Sequence, residues 1–328
     1  MGRKILSVDQ YADEVRSGNR FVLSQAITLA ENSLEDNQKL AQEIINLLLP
    51  HTGDSLRLGV TGVPGVGKST FIDQLGMTLI DEGHKVAVLS VDPSSQQSKG
   101  SILGDKTRMQ QLSQHPKAYI RPSATGNHLG GVAQKTREAI LLCEAASYDI
   151  IIIETVGVGQ SETVVRHMTD FFLLLMISGA GDELQGMKRG IMEMADTIAI
   201  NKADSGNEKA VQQAQKNYQH ALHLFPPVLG KPSPEVLTCS ALNNQGLQEI
   251  WIYIQQFITD IKASGYFQQQ RQQQQRSWMM ELIQQKLSQE FFQQPAIRKT
   301  LPHVEQAILQ SKITAREGAE QLLNMYRY

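Results

Sequence analysis

The sequence predicts an α/β fold with a mostly parallel central sheet flanked by helices, and three observations support this fold class. Short apolar runs alternate with helix-length amphipathic segments from residue 56 to about 242. Several of these runs are apolar on both faces, as strands are when helices cover both sides of a sheet. Helical spacing fills the chain before and after this region. We therefore expect helical N- and C-terminal extensions at 1–53 and 263–328 around a central domain at 54–262.

The individual elements follow from the residue pattern in chain order. Apolar residues recur every three or four positions up to residue 50, and Pro50 and Gly53 end that helical pattern. The predicted strands are LRLGVTG, KVAVLSVD, AYIRPS, YDIIIIET, DFFLLLMIS, DTIAINKAD and EVLTCSA. The glutamine-rich segment 267–276 could be a flexible linker, but Gln and Arg favour helices and a helical pattern follows it. We expect one long helix there.

Composition narrows the class of protein. The 328 residues are 41% apolar, which is ample for a full core, and the net charge of -2 gives no indication of nucleic acid or an anionic membrane surface. Cys143 and Cys239 are too few for a disulfide framework, and the N-terminus lacks the apolar region of a signal peptide. The longest apolar run, 171–177, is too short to cross a bilayer. We expect a reduced, cytoplasmic protein that binds neither nucleic acid nor membrane.

The stretch GVTGVPGVGKST has the spacing of a phosphate-binding loop, and it lies between a predicted strand and a predicted helix. Its backbone N–H groups can turn toward phosphate oxygens at the helix N-terminus, where the helix dipole also favours an anion. We expect Lys68 to reach the β- and γ-phosphates and the Ser69 hydroxyl to bind Mg²⁺. The predicted nucleotide-binding residues of the loop are Gly62, Val63, Pro64, Gly65, Val66, Gly67, Lys68, Ser69 and Thr70.

Glu154 ends a run of four isoleucines, and a core strand has no use for that charge, so a cationic partner is expected. Parallel strands present their C-terminal ends to the ligand crevice. The carboxylate would therefore lie beside the phosphate loop and hold Mg²⁺, through a water molecule. Gly157 is expected to donate its N–H to the γ-phosphate. Val158 stands where Ras-like GTPases have a water-positioning Gln, which predicts slow intrinsic hydrolysis that depends on a partner.

The motif NKAD at 201–204 follows a predicted strand and indicates a guanine base. The Asp204 carboxylate would accept hydrogen bonds from N1–H and the 2-amino group of guanine, a donor pair that adenine lacks. Asn201 would bond the N7 edge or brace the loop, and the stem of Lys202 would cover the base. A second short motif completes the predicted base site, with the residues Ser240, Ala241 and Leu242.

Together these motifs resemble those of the MeaB/ArgK GTPases, which are associated with methylmalonyl-CoA mutase and were once labelled LAO/AO transport system kinases. The residues that carry the resemblance are DPSS, SILGDKTRM, RP, LGG, ETVGVGQSE, GDELQG and NKAD. The resemblance runs from about residue 20 to the C-terminus. It implies a homodimeric, magnesium-dependent G protein that binds GTP and GDP. Such a protein couples its nucleotide state to cofactor loading and protection of an adenosylcobalamin-dependent methylmalonyl-CoA mutase.

The resemblance also implies roles for particular residues. Those implied to bind Mg²⁺ are Ser69, Asp92, Asp105 and Glu154. Those implied to serve catalysis are Lys68, Asp92, Asp105 and Glu154. A first switch would lie at 92–109, where Lys99 stands in place of an expected glycine. A third mobile loop at 179–190 would carry the switch residues Asp182, Gln185 and Lys188.

Two other functions remain open from the residues. A protein or small-molecule kinase requires adenine selectivity and an acceptor base near the γ-phosphate; NKAD argues against the first, and the sequence offers no clear candidate for the second. A metallochaperone GTPase that delivers nickel or cobalt requires a His- or Cys-rich tract. The eight histidines are scattered, and the strongest hint is the pair His220 and His223 on a predicted helix.

Overall fold

A seven-stranded parallel sheet forms the centre of the protein. The computed structural model describes residues 6–91, 108–122, 129–155, 161–179, 189–204 and 206–327. The strands are β1 (Leu56–Gly62), β2 (Val86–Val91), β3 (Ala118–Arg121), β4 (Ile150–Thr155), β5 (Phe171–Ile177), β6 (Thr197–Asn201) and β7 (Glu235–Thr238). They lie in the order β3-β2-β4-β1-β5-β6-β7, and all six pairings between them are parallel. The predicted fold class is confirmed.

Helices precede, connect and follow the strands. They are α1 (Val8–Arg16), α2 (Arg20–Glu31), α3 (Glu35–Leu48), α4 (Lys68–Asp81), α5 (Gln110–Gln114), α6 (Leu129–Ala145), α7 (Ser161–Arg166), α8 (Arg189–Met194), α9 (Glu208–Leu222), α10 (Leu247–Ala263), α11 (Tyr266–Gln293), α12 (Pro295–Leu309) and α13 (Ala315–Arg327). The glutamine-rich segment lies inside the 28-residue helix α11, so the prediction of one long helix is confirmed.

Helices α4, α5 and α10 cover one face of the sheet. Alternate strand residues such as Leu58 and Val60 of β1 and Leu173 and Leu175 of β5 point to this side and share one buried cluster with the helices. The intervening residues of these strands point to the opposite face of the sheet. They are apolar as well, because a second layer of helices covers that face.

Helix α6, with α1 to α3 packed against it, provides that cover over β2 and β4, and α8 and α9 provide it over β5 to β7. The N-terminal helices share a single buried cluster with strand residues such as Leu89 and Ile151. The Ser7 hydroxyl accepts a hydrogen bond from the Gln10 N–H at 3.3 Å and starts α1, and the Asn19 side chain caps α2 in the same manner. Residues 6–48 are therefore a layer of this α/β unit.

The chain divides into two compact units, Met1–Gln272 and Gln273–Tyr328. The second unit has a small core of its own around Ile297, Val304 and Leu322. The three-part division expected from sequence texture, at 1–53, 54–262 and 263–328, stays a prediction. In the described part of the chain no helix is both long enough and apolar enough to span a membrane.

Candidate nucleotide-binding site

The predicted phosphate loop leaves the end of β1 and enters α4, as its motif requires. Gly62 lies so close to β5 that a Cβ there would stand 2.4 Å from the Leu175 carbonyl oxygen. Gly67 caps α4 in the left-handed region at φ 94°, and a Cβ there would stand 2.8 Å from Nδ2 of Asn201. The two glycines of the motif are thus required by backbone packing and by conformation.

The Lys68 side chain folds back over the start of the loop. Its Nζ donates hydrogen bonds to the carbonyl oxygens of Gly62, at 2.6 Å, and Val63, at 3.3 Å. Burial lowers the pKa of the Lys68 ammonium, although the carboxylates of Glu154 and Glu162 act in the opposite direction. A bound phosphate would bring further negative charge to this partly desolvated cation.

Glu154 lies in β4 with neighbours on both sides, Val60 of β1 and Ser90 of β2. Its side chain is buried, and its Oε1 accepts a hydrogen bond of 2.8 Å from the Ser90 hydroxyl. The prediction of a cationic partner has a partial answer: burial lowers the pKa of Lys68 and the Glu154 charge partly opposes that shift, while the group in hydrogen-bond contact with the carboxylate is the neutral Ser90 hydroxyl. Beside this pair, the hydroxyls of Thr61 and Thr155 share a hydrogen bond of 2.8 Å.

The base motif is joined directly to the phosphate loop. Nδ2 of Asn201 donates to the Val66 carbonyl at 2.8 Å, and Nζ of Lys202 donates to the Gly65 carbonyl at 2.8 Å. On its other side, Oδ1 of Asn201 accepts from the Ala241 N–H at 2.9 Å. Of the two roles foreseen for Asn201, the geometry supports bracing of the loop.

Asp204 faces the loop that follows β7. Its Oδ2 accepts hydrogen bonds from the Ser240 hydroxyl and, at 2.9 Å, from the side-chain amide of Asn243. Leu242 is 80% exposed, so its side chain is available to cover a bound base. Burial and then the Asp204 charge raise the pKa of the Cys239 thiol to about 12, which keeps the thiol protonated beside Asn201.

The described residues of the phosphate loop, the base motif and Ser240 to Leu242 therefore meet at the C-terminal edge of β1, β6 and β7. Six predicted site residues lie outside the described residues, and they are Asp92, Asp105, Gly157, Asp182, Gln185 and Lys188. Sequence reasoning missed Ser90 and Asn243. A polar residue within a strand that is otherwise apolar was the available signal for Ser90.

A third missed residue, Asp73 of α4, is 6% exposed. Its carboxylate accepts from the backbone N–H of Leu112 at 2.8 Å and of Gln111 at 3.4 Å. A Cβ on Gly76 would stand 2.8 Å from the Leu112 side chain, so α4 and α5 pack closely. The chain that follows the predicted first switch is thus anchored to the helix that begins at the phosphate loop.

Two of the four residues implied to bind Mg²⁺ can be tested for fit. Ser69 lies in the first turn of α4, and Glu154 is a buried carboxylate in the strand next to β1. Both offer the hard oxygen atoms that Mg²⁺ prefers. Within the described ranges, no three His, Cys, Asp or Glu side chains form a group that could hold a metal ion by themselves. Of the histidine pair that hinted at a metallochaperone, His223 is the capping residue after α9, and its Nε2 lies 3.1 Å from Nε2 of Gln219.

A sequence model of the family described as methylmalonyl-CoA mutase-associated GTPase MeaB matches residues 23–296. The chain belongs to the MeaB family. GTPase ArgK of Escherichia coli is 47% identical over 308 residues, which are 94% of this chain and 93% of that protein. A mouse relative, named methylmalonic aciduria type A homolog, mitochondrial, is 42% identical over 330 residues, covering 98% of this chain and 80% of the mouse protein.

The MeaB assignment agrees with the fold. A crystal structure titled LAO/AO transport system kinase superposes with a TM-score of 0.79 at 38% identity, covering 99% of this chain and 100% of that one. This MeaB-family chain is a P-loop GTPase, and membership implies that guanine nucleotide is its ligand. The sequence-based expectations of the family and of GTP hydrolysis are confirmed.

Proposed function

We propose that this GTPase binds GTP and GDP at the edge formed by β1, β6 and β7, and that its nucleotide state controls cofactor loading and protection of a methylmalonyl-CoA mutase. The observation that carries the first part is the direct joining of the two motifs. Asn201 and Lys202 bond the Val66 and Gly65 carbonyls of the phosphate loop, so phosphate and base sites have a fixed separation.

The residues divide the nucleotide between them. Backbone N–H groups of the loop at 62–70 would surround the phosphate oxygens, and Lys68 would exchange its two carbonyl partners for the β- and γ-phosphates. Asp204 would bind N1–H and the 2-amino group of guanine. Lys202 and Leu242 would cover the faces of the base.

Ser69 and Glu154 would hold Mg²⁺, together with Asp92 and Asp105 on the family pattern. The ion would neutralise charge on the β- and γ-phosphate oxygens. The task of this chain's residues is to hold the oxygens of Ser69 and Glu154 in place, and the hydrogen bond from Ser90 does this for Glu154. Hydrolysis of GTP would be slow in the absence of a partner.

The partner proposal rests on family membership. The family description names association with methylmalonyl-CoA mutase, and the mouse relative is named after methylmalonic aciduria. We propose a homodimer in the cytoplasm, with Asp182, Gln185 and Lys188 in a switch that the mutase reads. A ligand or partner moves such a switch only by its different affinity for the two states.

The kinase reading is not favoured. The matching family and the Escherichia coli relative are described as GTPases. The fixed position of Asp204 beside Ser240 suits a base with two adjacent donors, and adenine has no such pair. No observation on the described residues favours the metallochaperone reading.

The proposal is tested by measuring hydrolysis of GTP and of ATP, each with and without the cobalamin-dependent mutase. We expect the protein to hydrolyse GTP and not ATP. Hydrolysis of GTP should be slow without the mutase and faster with it. Lys68→Ala should weaken nucleotide binding and hydrolysis together, because it removes the cation that meets the phosphates. Equal use of ATP and GTP by the wild-type protein would contradict the base assignment.

The coupling is tested by the double variant Gln185→Ala with Lys188→Ala. Intrinsic hydrolysis and GDP binding should be unchanged, while most of the acceleration by the mutase is lost, a change of roughly 5- to 150-fold if the coupling is typical. If the mutase still accelerates GTP hydrolysis by the double variant as it does for the wild type, the loop at 179–190 does not carry the coupling. Residues 92–109 would then carry it.

A further inference from the structure

The loop after β7 folds back on itself in front of Asp204. The backbone groups of Ser240 and Gln245 bond each other twice, at 2.9 Å and 3.0 Å, and close the loop. Asn244 takes a left-handed conformation at φ 52°, which turns the chain between them. The N–H of Asn243 then donates to the Ser240 hydroxyl at 3.2 Å, so Asn243 is held on the Asp204 side.

Two neutral donors from this loop meet the same atom of Asp204. The Ser240 hydroxyl and Nδ2 of Asn243, the latter at 2.9 Å, both donate to Oδ2. A carboxylate has about four acceptor positions in its plane, so two donors on one oxygen restrict rotation of the group and leave acceptor capacity for a base. Asn243 belongs to neither of the two motifs from which the base site was predicted.

We propose that Asn243 is a positioning residue for guanine recognition, which holds the plane of the Asp204 carboxylate so that it meets N1–H and the 2-amino group together. The inference rests on the proposed role of Asp204. Asn243 acts through Asp204 and determines specificity, since a carboxylate free to rotate can keep one of the two hydrogen bonds while it loses the other.

This chemistry selects the probe nucleotides. Inosine diphosphate has the N1–H donor and lacks the 2-amino group, so it makes only one of the two hydrogen bonds to Asp204. A well-oriented carboxylate discriminates GDP from inosine diphosphate, and a poorly oriented one discriminates less. The ratio of the two dissociation constants therefore reports the orientation of the Asp204 carboxylate. General damage to the loop would weaken the binding of both nucleotides by the same factor and leave the ratio unchanged.

Two variants separate orientation from loop folding. Asn243→Ala removes the donor. Asn243→Asp keeps the size and the turn preference of the residue but puts a second carboxylate against Asp204. Asn244→Gly is the control in the same loop, because glycine readily adopts the conformation at φ 52°.

Dissociation constants for GDP, inosine diphosphate and ADP are measured by isothermal titration calorimetry on the full-length wild-type and variant proteins. For Asn243→Ala we expect the GDP constant to rise about 3- to 10-fold, the effect of one lost hydrogen bond. The constant for inosine diphosphate should rise less. Asn243→Asp should lose more GDP affinity than Asn243→Ala, and Asn244→Gly should keep the wild-type ratio.

The outcomes distinguish the inference from the proposed function. Wild-type protein without preference for GDP over ADP would overturn the base assignment itself. If the wild type prefers GDP and both Asn243 variants keep its ratio of GDP to inosine diphosphate affinity, only the positioning role fails. If Asn243→Asp binds GDP and inosine diphosphate with wild-type affinities, the role of Asn243 is only to form the turn. Tighter GDP binding by Asn243→Ala would mean that the amide competes with the base, which also overturns the inference.

Discussion

The Ser90 hydroxyl donates a hydrogen bond of 2.8 Å to Oε1 of Glu154 between two adjacent strands, and both side chains are buried. Because the two residues are register partners in a parallel pair, the contact follows from the sheet itself. In the proposed role of Glu154 as a Mg²⁺ ligand, this donor would orient the carboxylate, since a ligand set works only when its oxygens are fixed.

Ser90→Ala should therefore impair hydrolysis more than nucleotide binding. Loss of about 1 kcal/mol of orientation corresponds to a roughly 5-fold slower single-turnover rate, with a higher Mg²⁺ concentration at half-maximal rate. GDP affinity should stay within about 2-fold of wild type, since the hydrogen bond that is lost joins Ser90 to Glu154 and involves no atom of GDP. Ser90→Thr keeps the hydroxyl and should restore the rate; an Ala variant as fast as wild type would show that the hydroxyl does not serve Glu154.

Glu154→Gln should leave GDP binding nearly intact and slow hydrolysis by about 100-fold, as expected for loss of one charge-stabilising group in a reaction site. The exposed Glu193 of α8 offers a matched control, because Glu193→Gln makes the same chemical change at a residue outside the phosphate and base motifs. Single-turnover hydrolysis gives both rates. Full activity of the Glu154→Gln protein would mean that this carboxylate is an ordinary strand end.

Asp204→Asn should shift base preference toward xanthine nucleotides. The new amide can donate to the O2 carbonyl of xanthine, whereas it faces the 2-amino group of guanine donor to donor. We expect GDP affinity to fall at least ~10-fold and xanthosine diphosphate affinity to rise. Competition titrations with a fluorescent GDP analogue measure both constants, and an unchanged preference for GDP would place the base elsewhere.

Arg271 should matter for stability, because it fixes the start of α11 to the base of the sheet. Its guanidinium donates to both carboxylate oxygens of Asp170, at 2.8 Å and 2.7 Å, and to the carbonyl of Ser55 at 2.6 Å. Asp170 is 1% exposed, so Arg271→Met leaves a buried charge with fewer partners and should lower the free energy of unfolding by about 3 kcal/mol.

Urea unfolding followed by circular dichroism measures this difference. Arg271→Lys keeps the charge without the two-pronged geometry and should fall between the wild type and the Met variant. Arg276→Met, at an exposed position of the same helix, is the control. Equal unfolding midpoints for wild type and Arg271→Met would contradict the prediction that Arg271 stabilises the fold through Asp170.

The C-terminal helical extension at 263–328 should form the dimer contact. Met279, Ile283 and Leu287 of α11 fall at helical spacing and are 51%, 44% and 53% exposed. An apolar row of this kind is typical of a contact with another chain. Ile283→Glu with Leu287→Glu should give a monomer in sedimentation velocity at micromolar concentration, whereas the equally charged Gln284→Glu with Gln285→Glu should stay dimeric. A monomeric wild-type protein would refute the prediction.

The strands could be predicted because most are short apolar runs that helices cover on both faces. The order of the sheet could not be read in the same way, since it depends on contacts such as Leu56 with Ile150, which are far apart in the chain. The phosphate-loop motif predicts only that the strand bearing Glu154 lies beside β1. Helical periodicity likewise identifies α1 to α3 without indicating that they share a core with Leu89 and Ile151.

Part of the site could be predicted in the same way as the strands. The phosphate motif and the base motif are each one contiguous stretch of sequence, so their residue types and spacing indicate the chemistry. Ser90 and Asn243 reach their partners through strand register and a left-handed turn at Asn244. A polar residue in an apolar strand singles out Ser90, but the sequence alone does not identify the partner of either residue. The brace from Lys202 to Gly65 is of this kind also, because it joins two loops that the fold alone brings together.

The shared core of the N-terminal helices and the sheet has a consequence for synthesis. On the ribosome, α1 to α3 are complete at residue 48, but the strand residues Ile151 and Ile153, which belong to the same buried cluster, are made about 100 residues later. At roughly 5–20 residues per second, this cluster stays incomplete for about 5–20 s. The apolar side chains of α1 to α3 would therefore suit binding by general folding chaperones during that interval.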